Sequence, residues 1–415
     1  MTLATDRLRP LFPALAREHA GREAVYFDGP AGTQTPIAVI DAIGNYLRRC
    51  NANHGGLFAT SRESDQLLHE THEAVAALLG ADDPDTVSFG ANMTTLTFAF
   101  SRALSRTWAP GDEVIVTRLD HDANVTPWTL AARDAGATVK TVELTESLTL
   151  DIEDFRSKLS ERTKLVAVGA ASNSTGAINP VRAIADAAHA AGALVFVDAV
   201  HYAPHQLLDV RQMDCDFLAC SAYKFFGPHV GILWGRREWM ESLEPYKVRP
   251  AANRIPDRWM TGTQNHECLA GVKAAVEYLA EVAALAGDSV VAATAPLRER
   301  LVESYRHIQE HERSLCGRLL AGIAELPAIR VWGEADPQRQ EARVSTLSIT
   351  HRERSSTDVA THLAERGVFA WNGNYYALNL TESLGLEPDG MVRLGIVHYN
   401  TEEEVDYVLS CLREL

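Results

Sequence analysis

Apolar residues in the first 240 positions fall into short runs with little alternation. These run from Thr86 to Phe89, Glu113 to Thr117, Ala137 to Val142, Leu165 to Val168, Leu194 to Val197, Phe217 to Cys220 and Gly231 to Trp234. Such β-branched-rich runs predict strands buried on both faces of a sheet. Between them the period lengthens. Helices are expected from Ile37 to Arg49, through Leu68, Val75, Leu78 and Leu79, in the alanine-rich stretch before Ala137, and from Pro180 through Ala191. Strand, loop and helix repeat in that order from Thr86 onward, which predicts an α/β fold with a mostly parallel sheet and helices on both faces.

Beyond Trp234 the texture changes. Residues 244–260 carry Pro and Arg without periodicity and are expected to form a lid or an excursion towards another subunit; TGTQN then leads, with Thr263 at its head, into a helix. Helices dominate from Pro296 to Leu326, where Arg298, Arg300, Glu303, Arg306, Glu310 and Glu312 are expected on a solvated ion-pair face. Short strands at Arg330 to Trp332, Arg343 to Ile349 and Met391 to Gly395, with helices at Ser356 to Arg366 and Glu402 to Leu412, give an α+β pattern. At 415 residues the chain exceeds one ordinary core. The expected division is a large ligand-binding domain over 24–275 and a small α+β domain over 276–415, with 1–23 as a joining segment.

Composition narrows the partners. A formal charge of -16 argues against nucleic acid or an anionic membrane. The six cysteines form no CxxC pair, which suggests reduced thiols in a cytoplasmic protein. The amino terminus has charges where a secretory signal needs an apolar core, and no uninterrupted apolar run approaches the ~20 residues of a membrane span.

Candidate chemistry gathers where strands end, because ligands of open α/β sheets bind outside the carboxyl ends of the strands. Asp198 ends one run, and Ser221, Tyr223 and Lys224 follow the next. A lysine to bond an aldehyde, an aspartate to keep a pyridine nitrogen protonated, and a hydroxyl for phosphate are the handles that pyridoxal 5'-phosphate requires. Asn92, Met93 and Thr94 open a helix after the first strand, a natural phosphate seat and equally an ordinary cap. His121 lies just past the second strand, where an imidazole can stack on a ring or move protons. Asn173 sits in a Ser/Asn/Gly loop, as a ligand donor or an Asx-turn. His201 and His205 have the spacing of some zinc pairs, but Pro204 disfavours the helix this needs and no third ligand follows, so no metal site is expected.

The motifs YFDGPAGTQTP, DHDANVTPW, SNSTGAINPV, VDAVHYAPH, SAYKFFGP, TGTQN and VRLGIVHYNTEEEVD occur in the order shown by the cysteine desulfurase group of the class V aminotransferases. The chain resembles that group over nearly its whole length. The resemblance implies a fold-type I enzyme with a seven-stranded sheet, dependent on pyridoxal phosphate, and a homodimer with shared active sites acting on a small amino acid. By resemblance Lys224 carries the Schiff base, Asp198 pairs with the pyridinium nitrogen, His121 stacks over the ring and Asn173 lies near the phenolic oxygen. Ser221 and Asn92 to Thr94 would bind phosphate, Thr263 would reach over from the second protomer, and Arg393 would clamp the substrate carboxylate; Asn372 and Asn374 are further substrate-side candidates. Three positions depart from the pattern: His201 stands where Gln is common, Tyr223 where His often precedes the lysine, and the loop 367–379, GVFAWNGNYYALN, has no cysteine. The reading is C–S bond cleavage of cysteine or a derivative without a loop persulfide, with transamination or epimerisation as the alternative. A cofactor-binding protein without turnover would have no use for a substrate clamp.

Overall fold

The computed structural model describes residues 3–19 and 21–415. Seven strands form the large sheet: Val87–Gly90 (β1), Glu113–Thr117 (β2), Thr138–Val142 (β3), Thr163–Gly169 (β4), Leu194–Asp198 (β5), Phe217–Ser221 (β6) and Gly231–Gly235 (β7). Their order is β1-β7-β6-β5-β4-β2-β3. Only β7 runs against its neighbours, β1 and β6. The loop from Ser221 to Gly231 is too short for the dozen or more residues a parallel crossover takes, so the chain reverses. Successive side chains of β5 feed different cores: Val195 and Val197 pack on one face, Phe196 on the other. This is why the run shows no alternation.

One face is covered by the mutually packed helices Ile37–Arg49, Ala59–Leu79 and His266–Ala286, the other by Met93–Leu104 and Thr126–Ala135. A second sheet, antiparallel throughout, takes Ile329–Trp332, Thr346–His351, Met391–Gly395 and Trp371–Gly373 in that order. It packs against Leu297–Ala324, Ser356–Glu365 and Glu402–Arg413. The boundary expected between 275 and 276 falls inside the helix His266–Ala286. Moreover Val25–Tyr26 pairs in parallel with Val368–Phe369, and Asp28 bridges to Gly395, so the beginning of the chain is stitched to its end. Among the described residues no helix is long and apolar enough to cross a membrane.

Two expectations about charged residues are corrected. The strand expected from Arg343 begins at Thr346; Arg343 turns inward, fully buried, and donates to the carbonyls of Thr175, Glu334 and Thr346. The expected solvated face of Leu297–Ala324 is not solvated at Glu303 and Glu312, both buried. Glu303 accepts from Ser289 Oγ and the Val290 amide, while Glu312 lies 2.6 Å from His205 Nδ1. Buried carboxylates persist where such partners offset their desolvation.

Candidate active site

The ends of β5 and β6 lie side by side, with Asp198 and Ala219 in register. Asp198 accepts from the Val200 amide at 2.8 Å. Burial pushes its carboxyl up to about 6, against the pull of that amide and of Lys224. Beyond Ser221 the chain makes the tight turn Ala222–Lys224, and Lys224 Nζ donates to the Pro30 carbonyl. The covering loop is held by Thr33, whose amide donates to Tyr223 O at 3.1 Å and whose Oγ1 accepts from the Phe226 amide at 2.8 Å. Phe226 takes a φ of 70°, a cost borne where the turn has to aim the lysine inward. Burial first, and then Arg393, lower the Lys224 amine to about 7, while Asp198 and Asp28 oppose the shift.

Ser221 Oγ accepts from the Met93 amide at 3.0 Å, tying the strand end to the start of Met93–Leu104. Asn92 caps that helix, its Oδ1 accepting from the Thr95 amide at 2.8 Å, and Thr94 is exposed in the first turn. Gly231 is required there: a Cβ would come within 2.3 Å of the Asn92 carbonyl carbon. With the Met93 and Thr95 amides so engaged, an anion at this helix start would meet the Thr94 amide and the Ser221 hydroxyl.

His121 Nδ1 accepts from the Ala123 amide at 3.0 Å, so the ring keeps its proton on Nε2. Burial, Lys224 and Arg393 lower it to about 4, leaving it neutral at pH 7. Its ring stacks on Tyr376, centroids 5.3 Å apart and planes 26° from parallel. Asn173 Nδ2 donates to Tyr375 O at 2.9 Å, and Arg393 Nη1 donates to Asn173 O at 2.9 Å. Arg393 lies over the Tyr375 ring at 4.3 Å. Burial lowers it to about 10. Among the described residues it has no carboxylate within ion-pair reach.

The structure therefore brings together Asn92, Met93, His121, Asn173, Asp198, His201, Ser221, Tyr223, Lys224 and Arg393. It does not bring Asn372, Asn374 or Thr263 to them. The strand Trp371–Gly373 turns the Asn372 amide towards Ser356–Glu365, where it donates to Thr357 Oγ1, and the Asn374 amide, just past the strand, donates to Glu387. Thr263 is exposed in the turn before His266–Ala286. Among the described residues no cluster of His, Cys, Asp and Glu is placed to hold a metal ion.

Two acids escaped sequence reasoning. Asp28 is held up to about 6 by burial with one oxygen unpartnered, facing Arg393 and Lys224. Asp120 is buried behind Asp198 and pushed up to about 7; it accepts from the Gly169 amide at 2.8 Å and Asn124 Nδ2 at 3.0 Å. The only signal for either was its place in a motif, one residue before a glycine and one before His121.

Pyridoxal phosphate is a test of fit for this arrangement. Asn173 Oδ1, His201 Nε2 and one Asp28 oxygen are buried without partners around an amine lowered to about 7, and Asp198 has a single amide partner. Such groups are costly unless a polar ligand satisfies them, and their chemistry matches the aldehyde, phenolic oxygen, ring nitrogen and phosphate of that cofactor.

Residues 25–408 match the family model of aminotransferase class-V. A probable cysteine desulfurase of Synechocystis sp. is 33% identical over 98% of this chain and 94% of its own length. An aminotransferase-like protein of Gibberella zeae is 32% identical over 99% and 98%. Among solved structures, the apo cysteine desulfurase of Thermococcus onnurineus NA1 superimposes with a TM-score of 0.87 at 26% identity, covering 100% of this chain and 98% of its own.

Proposed function

Because the chain belongs to the aminotransferase class-V family, we propose that it binds pyridoxal phosphate and breaks the C–S bond of cysteine or an S-substituted cysteine. The observation that supports this most is the meeting of Lys224, Asp198, His121 and Arg393 in one buried pocket. Lys224 would be the covalent attachment point, Asp198 the partner of the ring nitrogen, His121 the ring-stacking group, Asn173 and His201 the partners of the phenolic oxygen, and Ser221 with the Asn92 to Thr94 amides the phosphate seat. Bound there, the cofactor supplies an electron sink for bonds broken at the substrate's Cα.

The remaining chemistry belongs to the chain. Arg393, a buried guanidinium with one carbonyl partner, would take the α-carboxylate in a charge-assisted pair. Lys224, lowered to about 7, is largely a free amine at pH 8 and can hold the α-proton once the substrate amine has displaced it. Neutral His121 has an Nε2 proton to donate to the leaving sulfur. The loop 371–376 carries Trp371 and Tyr376, both more than half exposed, with Tyr376 stacked on His121, and these aromatic rings would suit a substituent larger than a thiol. A thiolate that would capture sulfur is missing from that loop.

The protein would work as a homodimer. Ile37, Ile40, Leu47, Leu57 and Phe58 are exposed on one side of the large domain, and Thr263, exposed in the single chain, would serve the partner's phosphate seat. A second reading, amine transfer or epimerisation, is favoured by the equally similar aminotransferase-like relative. Product analysis separates the two. The loaded protein, given L-cysteine and S-alkyl cysteines, is expected to release sulfide or thiol in step with substrate loss. A 2-oxo acid that retains its sulfur, or a D-amino acid, would overturn C–S cleavage.

A further inference from the structure

His201 stands in the pocket with no partner for Nε2, and the charged and titratable groups that face it are His205, Arg393, Lys224 and His121. Its ring meets that of His205 edge to face, centroids 5.4 Å apart and planes 71° from parallel. On its far side His205 Nδ1 lies 2.6 Å from Glu312 Oε2, with both side chains 2% exposed. With the Glu312 carboxyl ionised, that contact takes the Nδ1 proton of His205, and the carboxylate fixes the tautomer. The other Glu312 oxygen has no partner. Burial pushes the carboxyl up, and His205, the His398 backbone amide and Arg313 oppose the shift; Tyr305, Cys316 and the His398 ring are the remaining titratable neighbours. Desolvating a carboxylate in a core is costly and is offset here by His205 alone among the described side chains within ion-pair reach, and the cluster already described does not include Glu312.

We infer that Glu312 and His205 are positioning residues for His201: they carry a buried negative charge from the helix Leu297–Ala324, through one imidazole, to a second imidazole that opens on the pocket. The inference rests on the cofactor reading above. With the cofactor bound, His201 would present Nε2 to its ring oxygen, and the charge behind it would favour a proton on that side of the ring. Glutamine at 201 would make a similar contact without transmitting or titrating charge.

The test reads the visible spectrum of the pyridoxal-phosphate-loaded, substrate-free protein between pH 5 and 10. Glu312→Gln removes the negative charge, disfavours the proton, and is expected to move the midpoint of the spectral transition to lower pH by at least half a unit. Glu312→Asp, which restores charge, is expected to return it most of the way. In a His201→Gln background the Glu312→Gln shift should fall to less than a third, because the link to the ring is gone. If Glu312→Gln does not fold, His205→Gln interrupts the same chain: its stranded carboxylate protonates, and a shift of the same sign is required. No shift in a folded variant, or a shift indifferent to residue 201, would overturn the inference. A wild type with no visible band on adding the cofactor would refute the cofactor reading itself, an outcome distinct from a band that ignores Glu312.

Discussion

The floor of the pocket and its outer wall are held by different means. On the floor, Asp198, Ser221 and Lys224 leave adjacent strands whose backbones are fully paired and whose neighbours are buried on both faces. On the wall, Asn173, Tyr375 and Arg393 hold one another across the two sheets through single bonds and a ring contact, and Tyr376 stacks on His121. Tyr375 and Tyr376 both have left-handed backbones, φ 53° and 61°. Each such residue costs on the order of 1 kcal/mol or more, and two in succession are tolerated only where surrounding contacts impose them. The floor is built to stay in place and suits the cofactor; the wall can yield and suits a substrate that comes and goes. Variants of the floor, and of Asn173 where the wall would meet the ring oxygen, should therefore alter the bound chromophore, and variants of Tyr375, Tyr376 and Arg393 should alter substrate alone.

The largest effect is expected on the floor at Lys224. Lys224→Ala should lower turnover by at least about a thousandfold, since it would remove both the proposed attachment point and the proposed proton-transfer group. Borohydride reduction of the loaded wild type should fix the cofactor to the peptide carrying Lys224, and a label on another lysine would break the assignment.

Asp198 sharpens the contrast through stability. Its carboxyl is held up to about 6 in the fold, above the ordinary value near 4. A group raised on folding contributes stability that is complete below the unfolded value and is lost as pH rises through the folded one. The cofactor-free protein thus bears the cost of Asp198 at pH 8. Asp198→Asn should stabilise that form by up to about 3 kcal/mol at pH 8, with the gain vanishing towards pH 4, while turnover of the loaded protein falls. Denaturant melts at the two pH values check the first part. A gain independent of pH would mean that desolvation of this carboxylate is not the cause.

Arg393 tests the wall. Arg393→Ala should leave the visible spectrum of the loaded protein intact and weaken amino-acid binding by roughly 1.5 to 3 kcal/mol, the usual worth of a charged hydrogen bond. Spectral titration with substrate reads this directly. Unchanged affinity for a carboxylate substrate, or loss of the cofactor band, would blur the division between floor and wall.

The same division governs what could be read from the sequence. Strands buried on both faces announce themselves as unalternating runs, so the large sheet and the residues at its strand ends, Asp198, Ser221 and Lys224, were legible. So was the helix Ile37–Arg49, to the residue. The reversal of β7 was not, because direction depends on loop length rather than on any residue type. Glu312 was misread as solvated because its partner His205 is 107 positions away. Asn372 and Asn374 were chosen for their place in the loop, whereas the side to which the Asn372 amide turns is set by the pairing of Trp371–Gly373 with Met391–Gly395, and Asn374 is taken by Glu387, 13 positions on. Periodicity reports burial; it does not report which distant group shares the burial.

The smallest effect expected is none, and it decides the sulfur's route. A desulfurase that passes sulfur through its own chain needs a thiolate able to reach the substrate. Here Tyr376 occupies the loop above His121. Four of the six cysteines, Cys215, Cys220, Cys316 and Cys411, are buried. Burial pushes all six thiols up, including the partly exposed Cys50 and Cys268, so none is a ready nucleophile at neutral pH. After a single turnover with cysteine and rapid alkylation, the intact wild-type mass should show no additional sulfur. Tyr376→Cys supplies the comparison: its thiolate would attack the sulfur while it is still bonded to the substrate carbon, the C–S electron pair would leave with that carbon as alanine, and the added sulfur is expected at that residue alone. Sulfur appearing on a native cysteine at the rate of turnover would show that the wall hides a carrier, and the proposed release of free sulfide or thiol would fail.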